Sequence, residues 1–186
     1  MKTILIILLL CFSLPFFAQE LYQDNKNSEY LFAGSISDTS IKVWNLNEKT
    51  MDWKHPEELE QTGRLQATSF LSKVFDAGLS FHAEGDEPFW NAEIKEHLLT
   101  FTHPEAGKSS YKLKIDVNDF IDNSFSFMFG CEGENIYGLV RGYSYFPREQ
   151  QVCELCICEE VSFFEIFINF RGHIYKGCAK IEKENE

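Results

Sequence analysis

The residues best suited to chemistry in this chain are its cysteines. Beyond the first 18 residues they are Cys131, Cys153, Cys156, Cys158 and Cys178. Cysteines at this density form disulfides in an oxidising compartment, whereas reduced thiolates bind soft metal ions. Because five is an odd number, at least one of them must be free, intermolecular or a metal ligand.

The spacing of these cysteines limits how they can pair. Residues 152–158 alternate like a β-strand, so Cys156 and Cys158 share one face while Cys153 lies on the other. Cys153 is therefore expected to have a different partner from Cys156 and Cys158. Cys131 could form a disulfide with either Cys156 or Cys158. A redox-active C-x-x-C motif normally lies at the N-terminus of a helix. Because residues 152–158 are predicted to form a strand, we do not expect this motif to be redox-active.

A metal site is the alternative use of the same residues. Cys131, Cys156 and Cys158, together with His173, would suit zinc or copper(I), because both ions favour thiolate and imidazole ligands. This hypothesis describes a metal-handling protein of the cell envelope.

Patterns typical of catalysis are missing from the sequence. It contains no G-x-S-x-G nucleophile motif and no glycine-rich phosphate loop. Glu84, Asp86 and Glu87 form a carboxylate cluster that would suit calcium or acid–base chemistry, although a solvated turn is the simpler interpretation. His97 and His103 lie six residues apart, which is not a zinc-hydrolase spacing. We therefore expect no catalytic residue and no cofactor.

The first 18 residues have the pattern of a secretory signal peptide. Lys2 precedes an apolar run at residues 4–12, and Ala18 provides a small residue for cleavage. The run is shorter than the about 20 apolar residues that span a bilayer, although an N-terminal membrane anchor is the alternative. Cys11 is a poor site for a lipid anchor because Leu10 precedes it. We expect an exported chain, soluble in the periplasm or outside the cell.

Residues 19–62 are interpreted as an N-terminal extension with one strand. Alternation at 41–46 predicts that strand, and Pro56 followed by acidic residues suits a helix start. The stretch at 34–44 resembles a strand of a WD40 propeller blade, but a single match cannot form a propeller.

Residues 63–186 are interpreted as a helix followed by an antiparallel β domain. Apolar residues spaced as on one helical face predict a helix at 64–76, with Gly78 as its C-terminal cap. Beyond Gly78 the hydrophobic period changes from 3.6 to 2, in short segments separated by turn residues. This pattern predicts a mainly β fold, with a small antiparallel meander closed into a barrel or a sandwich.

The charge of the chain excludes some classes of partner. It has 29 acidic and 17 basic residues, a net charge of −12, which loss of Lys2 would lower to −13. Phosphate backbones and anionic membrane surfaces repel such a chain, so nucleic acid is not an expected partner. The 18 phenylalanines supply a core that a disordered chain would lack.

Two motifs resemble those of a known protein family. The sequence FHAEGDEPFW at residues 81–90 resembles the signature F-x-A-x-G-[TN]-E-P-F-W of uncharacterised secreted or lipoprotein-type bacterial proteins. A second motif of that family, roughly C-x-D-x-M-S-G followed by G-x-x-Y-x-G-C, aligns with residues 153–178. The resemblance covers about residues 79–181, and it implies a small β-rich domain with a Cys153–Cys178 disulfide.

The second motif is degraded in this chain. Leu155, Ile157, Cys158 and Phe163 stand where the family has Asp, Met, Ser and Pro. If the family uses that segment to bind a ligand, this chain has lost the binding loop.

The first motif supplies candidate ligand contacts at Glu87, Phe89 and Trp90, although a turn anchored in the core explains the same residues. The sequence thus favours a non-enzymatic exported domain that binds a small ligand, a peptide or an envelope protein.

Overall fold

The computed structural model describes residues 19–37, 39–86, 89–103, 105, 107–119, 125–142, 161–162 and 164–183. Within these ranges the strands are β1 Gln19–Asp24, β2 Glu29–Ser37, β3 Ser40–Asn45, β4 Thr50–Lys54, β5 Leu59–Leu65, β6 Leu79–Asp86, β7 Phe89–Lys95, β8 Leu98–His103, β9 Gly107–Asp119, β10 Phe125–Cys131, β11 Ile136–Gly142, β12 Val161–Ser162, β13 Phe164–Phe170 and β14 His173–Lys183. The helices are a 3-10 turn at Pro56–Glu58 and the α-helix α1 at Ala67–Asp76.

Eight strands form a closed antiparallel barrel. Their order is β6-β7-β8-β9-β10-β11-β13-β14, and β14 pairs with β6 to close the ring. Apart from the short β12, each barrel strand pairs with the next strand in the chain. The predicted mainly β meander closing into a barrel is therefore confirmed.

The interior of the barrel is filled by aromatic and branched side chains. Phe81 is fully buried, with the ring of Phe127 at 5.2 Å from its own and the ring of Phe164 at 5.5 Å, both edge to face. These rings belong to one continuous cluster of buried residues contributed by all eight strands. The excess of phenylalanine in the sequence is thus the packed core of the barrel, as eight-stranded barrels allow.

The two sequence motifs meet inside this barrel at Trp90. The indole packs against the ring of Tyr175, with the centroids 6.1 Å apart. A Cβ atom added at Gly85 or at Gly177 would overlap the indole, so both positions need glycine for Trp90 to fit. Gly85 of the first motif and Tyr175 and Gly177 of the second therefore all pack around the side chain of Trp90.

The helix α1 lies against one end of the barrel. Its buried residues are Phe70, Leu71 and Val74, and it contacts β6, β9 and β10. It ends as predicted at Asp76, and Gly78 follows with a φ of +72°, which is typical of a glycine cap. In the described part of the chain, no helix is long and apolar enough to cross a membrane.

The helix begins later than predicted. Its first residue is Ala67 rather than residue 64, because β5 continues to Leu65 in register with β1. Pro56 starts only a single 3-10 turn, since the strand β5 follows at once.

Residues 19–65 form five strands, whereas the sequence predicted one. They make a second sheet of order β4-β3-β2-β1-β5, and β12 pairs with β2. The strand β5 has apolar residues only at its ends, Leu59 and Leu65, and β1 contains only Leu21 and Tyr22. Backbone pairing with neighbours, rather than hydrophobic alternation, defines these two strands.

The second sheet is curled. Its edge strands β4 and β5 are joined by only residues 55–58. A flat sheet would separate these edges by about 19 Å, four strand spacings, which a four-residue link containing a 3-10 turn cannot cover.

The two faces of the sheet bury different sets of residues. One face buries Tyr22, Tyr30, Phe32, Ile41 and Val43, and the other joins the barrel core through Leu31, Ala33 and Trp44.

Candidate functional site

The outer wall of the barrel carries polar side chains in rows. On β6, Phe81 and Ala83 are buried, so His82 and Glu84 point outward. Strand pairing then places outward residues of neighbouring strands side by side. The row nearer the β6–β7 turn is Cys178, Glu84, Asn91, Thr102 and Lys108.

A second row runs parallel to the first along the same wall. Its members, in strand order, are Lys180, His82, Glu93, Thr100 and Ser110. The hydroxyls of Thr100 and Ser110 lie 3.1 Å apart and share a hydrogen bond.

The second sheet turns this polar wall into a groove. Ser35 of β2 and Ser162 of β12 face the two rows, and the space between has a volume of about 540 Å³. The Ser162 hydroxyl donates a hydrogen bond to the carbonyl of Ala179, which ties β12 to the barrel. The volume falls in the range of small-molecule sites, about 300–1,000 Å³. We name this space the outer groove; its lining includes the first row, the second row apart from Ser110, and Ser35, Ser162 and Glu182.

Ser35 lies at the floor of the outer groove. Its side chain is fully buried, and its hydroxyl has no hydrogen-bond partner among the described residues. A buried hydroxyl without a partner costs about 1–3 kcal/mol, so native proteins rarely retain one. The neighbouring Gly34 fixes this position, because its φ is +83° and a Cβ there would overlap the Phe164 ring.

A charged cluster closes one end of the outer groove. The Glu182 carboxylate lies 3.1 Å from the Lys180 ammonium and 3.5 Å from that of Lys42, which belongs to the second sheet. Burial acts to raise the pKa of Glu182, but the Lys180 hydrogen bond and the nearby cationic charges outweigh it. The pKa of Glu182 is therefore held below its ordinary value of 4.5.

Ser80, His82 and Glu93 make the arrangement nearest to a catalytic one. The Ser80 hydroxyl donates to Glu93 at 3.0 Å and lies 2.8 Å from Nε2 of His82. A nucleophilic serine would instead give its proton to the imidazole, with the carboxylate on the opposite ring nitrogen. Ser80 is also only 1% exposed, so substrate could not reach its oxygen. This trio holds the groove wall in place rather than supplying a nucleophile.

The ligand contacts suggested by the first motif lie in different environments. Trp90 is a core residue that is 4% exposed, whereas the adjacent Phe89 is 77% exposed. Glu87 lies outside the described residues. The position of Trp90 therefore favours the interpretation that these residues form a turn anchored in the core.

Two cysteines lie in the described part of the chain. Cys178 faces the outer groove and is disulfide-bonded. Cys153, Cys156 and Cys158 lie outside the described residues, so the pairing of Cys178 with Cys153 stays a prediction.

The second predicted disulfide is not formed at Cys131, which is a free, buried thiol. Cys131 follows Phe127 and Phe129 on the inward face of β10. Because its side chain points into the barrel core, it does not form the predicted disulfide. Burial, with a smaller effect of the Glu134 charge, raises the pKa of the Cys131 thiol to about 11.

The predicted metal ligands are only partly described. His173 is exposed at the start of β14, and the inward thiol of Cys131 is protonated at neutral pH. Among the described residues, no group of three His, Cys, Asp or Glu could hold an ion. A site using Cys156 and Cys158 remains a prediction.

The other polar candidates lie apart from one another. Glu84 belongs to the outer groove, while His103 packs its ring against Phe170 and Tyr175 near the end of the barrel. His97 is exposed in the turn before β8.

Sequence reasoning missed Ser35, Asn91, Thr102 and Lys108. Alternation indicated that Asn91 faces outward, but it did not show which residues lie beside it on other strands. No family model, curated protein or solved structure matches this chain.

Proposed function

We propose that this chain is an exported, non-enzymatic binding protein that holds a small polar ligand in the outer groove. The observation that carries the proposal is the buried Ser35 hydroxyl, which has no hydrogen-bond partner among the described residues and lines a space of about 540 Å³. A bound ligand would supply the missing hydrogen bond.

The packing of the barrel supports a site on its outside. The inward side chains form one continuous buried cluster, whereas the lining of the outer groove consists mainly of hydroxyl, amide and charged groups. Such groups orient a ligand and select it by its hydrogen bonds.

Three features support export. The first 18 residues have the pattern of a cleaved signal peptide, and residues 81–90 resemble a motif of secreted bacterial proteins. The disulfide bond of Cys178 suits an oxidising compartment. We propose the periplasm or the cell exterior as the location, and Cys153 as the partner of Cys178.

The test is a binding assay on the purified protein and a variant with a blocked groove. Isothermal titration calorimetry against a panel of amino acids, dipeptides, monosaccharides and dicarboxylates should find at least one ligand. Thr102→Trp places a large ring in the outer groove and should abolish that binding. Thr62→Trp adds the same ring to an exposed position on β5 and should leave binding unchanged. Failure of the whole panel, or binding that survives Thr102→Trp, would contradict the proposal.

A further inference from the structure

Opposite charges stand at the two ends of a run of four side chains that follows Cys178 in the first row of the outer groove. Glu84 begins this run and Lys108 ends it, with Asn91 and Thr102 between them on β7 and β8. The run therefore presents a carboxylate, an amide, a hydroxyl and an ammonium group in that order.

Three of these side chains have donors available to a ligand. Within the described ranges, no side-chain hydrogen bond or ion pair involves Asn91, Thr102 or Lys108. Side chains in register on neighbouring antiparallel strands lie about 5 Å apart. A carboxylate placed between Thr102 and Lys108 could accept a hydrogen bond from both.

The length of the run sets the size of the ligand. Three strand spacings of about 4.8 Å separate Glu84 from Lys108, which is about 14 Å between their Cα atoms. If both side chains extend toward each other, they cover part of that distance. A peptide of two residues, which spans about 7 Å, would then cover the rest.

The charge of the lining selects against anions with several charges. It carries the carboxylates of Glu84, Glu93 and Glu182 and the ammonium groups of Lys108 and Lys180, and Lys42 beside Glu182 makes the two signs equal in number. Since the charges balance, a ligand with no net charge is favoured over a dianion. A ligand with an amine at one end and a carboxylate at the other meets both ends of the run.

We infer that the ligand is a short peptide with free termini, about two residues long. This inference rests on the binding function proposed above. The peptide carboxylate lies between Thr102 and Lys108, the terminal ammonium group lies beside Glu84, and a peptide group meets the Ser35 hydroxyl at the floor.

Alanylalanine and its blocked forms test this assignment by calorimetry. Alanylalanine should bind, while N-acetyl-alanylalanine and alanylalanine amide should each bind at least about tenfold more weakly, as expected for loss of one charge-assisted contact. Lys108→Gln should weaken alanylalanine about tenfold or more and leave the affinity of the amide form unchanged. Lys112→Gln, a change of another exposed lysine on β9, is the matched control and should have no effect.

The outcomes separate this inference from the proposed function. If the blocked dipeptides bind as tightly as alanylalanine, or Lys108→Gln has no effect, the termini are not recognised and the inference is wrong. If only a monosaccharide or a dicarboxylate binds, and Thr102→Trp abolishes that binding, the inference is wrong but the proposed function stands, because the outer groove then binds another class of ligand. If no probe binds, both are wrong. Circular dichroism confirms that each variant is folded.

Discussion

At the scale of single residues, Trp90 and Phe89 are neighbours on β7 in opposite environments. Trp90 points into the barrel, where the ring of Phe101 lies 5.7 Å from it, while Phe89 points to solvent. The motif E-P-F-W therefore contains one residue that stabilises the fold and one that is available at the surface. Their side chains differ in role because successive residues of a strand face opposite sides.

Trp90→Ala should lower the free energy of unfolding by about 3–5 kcal/mol, because it removes a large side chain from a packed core. Phe89→Ala should change it by no more than about 0.5 kcal/mol, as is usual for exposed positions. Urea denaturation followed by circular dichroism measures both. A Trp90→Ala protein that unfolds at the wild-type midpoint would show that Trp90 is not a core residue.

At the scale of elements, the closure of the barrel depends on how closely β14 approaches β6. Cys178 pairs with Glu84 across this seam, and the adjacent Gly177 packs against the Glu84 backbone. A Cβ at Gly177 would overlap the Glu84 carbonyl oxygen and would lie 2.8 Å from Cζ2 of Trp90. The seam thus has no room for any other residue at this position.

Gly177→Ala should destabilise the protein by about 1–3 kcal/mol or more, because backbone atoms must move to admit the methyl group. Gly130→Ala is the control, since it lies in the barrel strand β10 with nothing within 4 Å of an added Cβ. That variant should be neutral, or stabilised by up to about 1 kcal/mol through a stiffer unfolded chain. Equal melting curves for the two variants would contradict the tight seam.

At the scale of the whole molecule, an ion pair between described residues joins the second sheet to the barrel. Lys42 of β3 meets Glu182 of β14 at the end of the outer groove. Since the pKa of Glu182 is lowered in the folded state, its contribution to stability is complete above its ordinary pKa of 4.5. That contribution disappears as the pH falls through the lower, folded-state pKa.

Glu182→Gln should therefore cost about 0.2–1 kcal/mol of unfolding free energy at pH 7 and nothing at strongly acidic pH. Glu96→Gln, at an exposed turn, should match the wild type at every pH. Urea denaturation from pH 7 down to about pH 2 makes the comparison. A cost that stays constant as the pH falls would show that the charge of Glu182 is not what stabilises the pair.

Sequence patterns predict the secondary structure of this chain where hydrophobic periodicity is strong. That periodicity predicts the strand at Phe164–Phe170 and the helix whose buried face includes Phe70 and Val74. It does not predict the strands β1 and β5, because their residues are mostly polar and only pairing with neighbouring strands defines them. The outer groove has no sequence signal either, since Ser35 is brought to Thr102 by strand register and by contact between the sheets.

The most direct test of the outer groove as the ligand site is an NMR titration. ¹⁵N-labelled protein with alanylalanine should show saturable shifts of backbone amides at Glu84, Asn91, Thr102 and Ser35. The amides of β10 and β11, on another part of the barrel wall, should not move. Shifts confined to β10 and β11, or the absence of any saturable shift, would contradict the account.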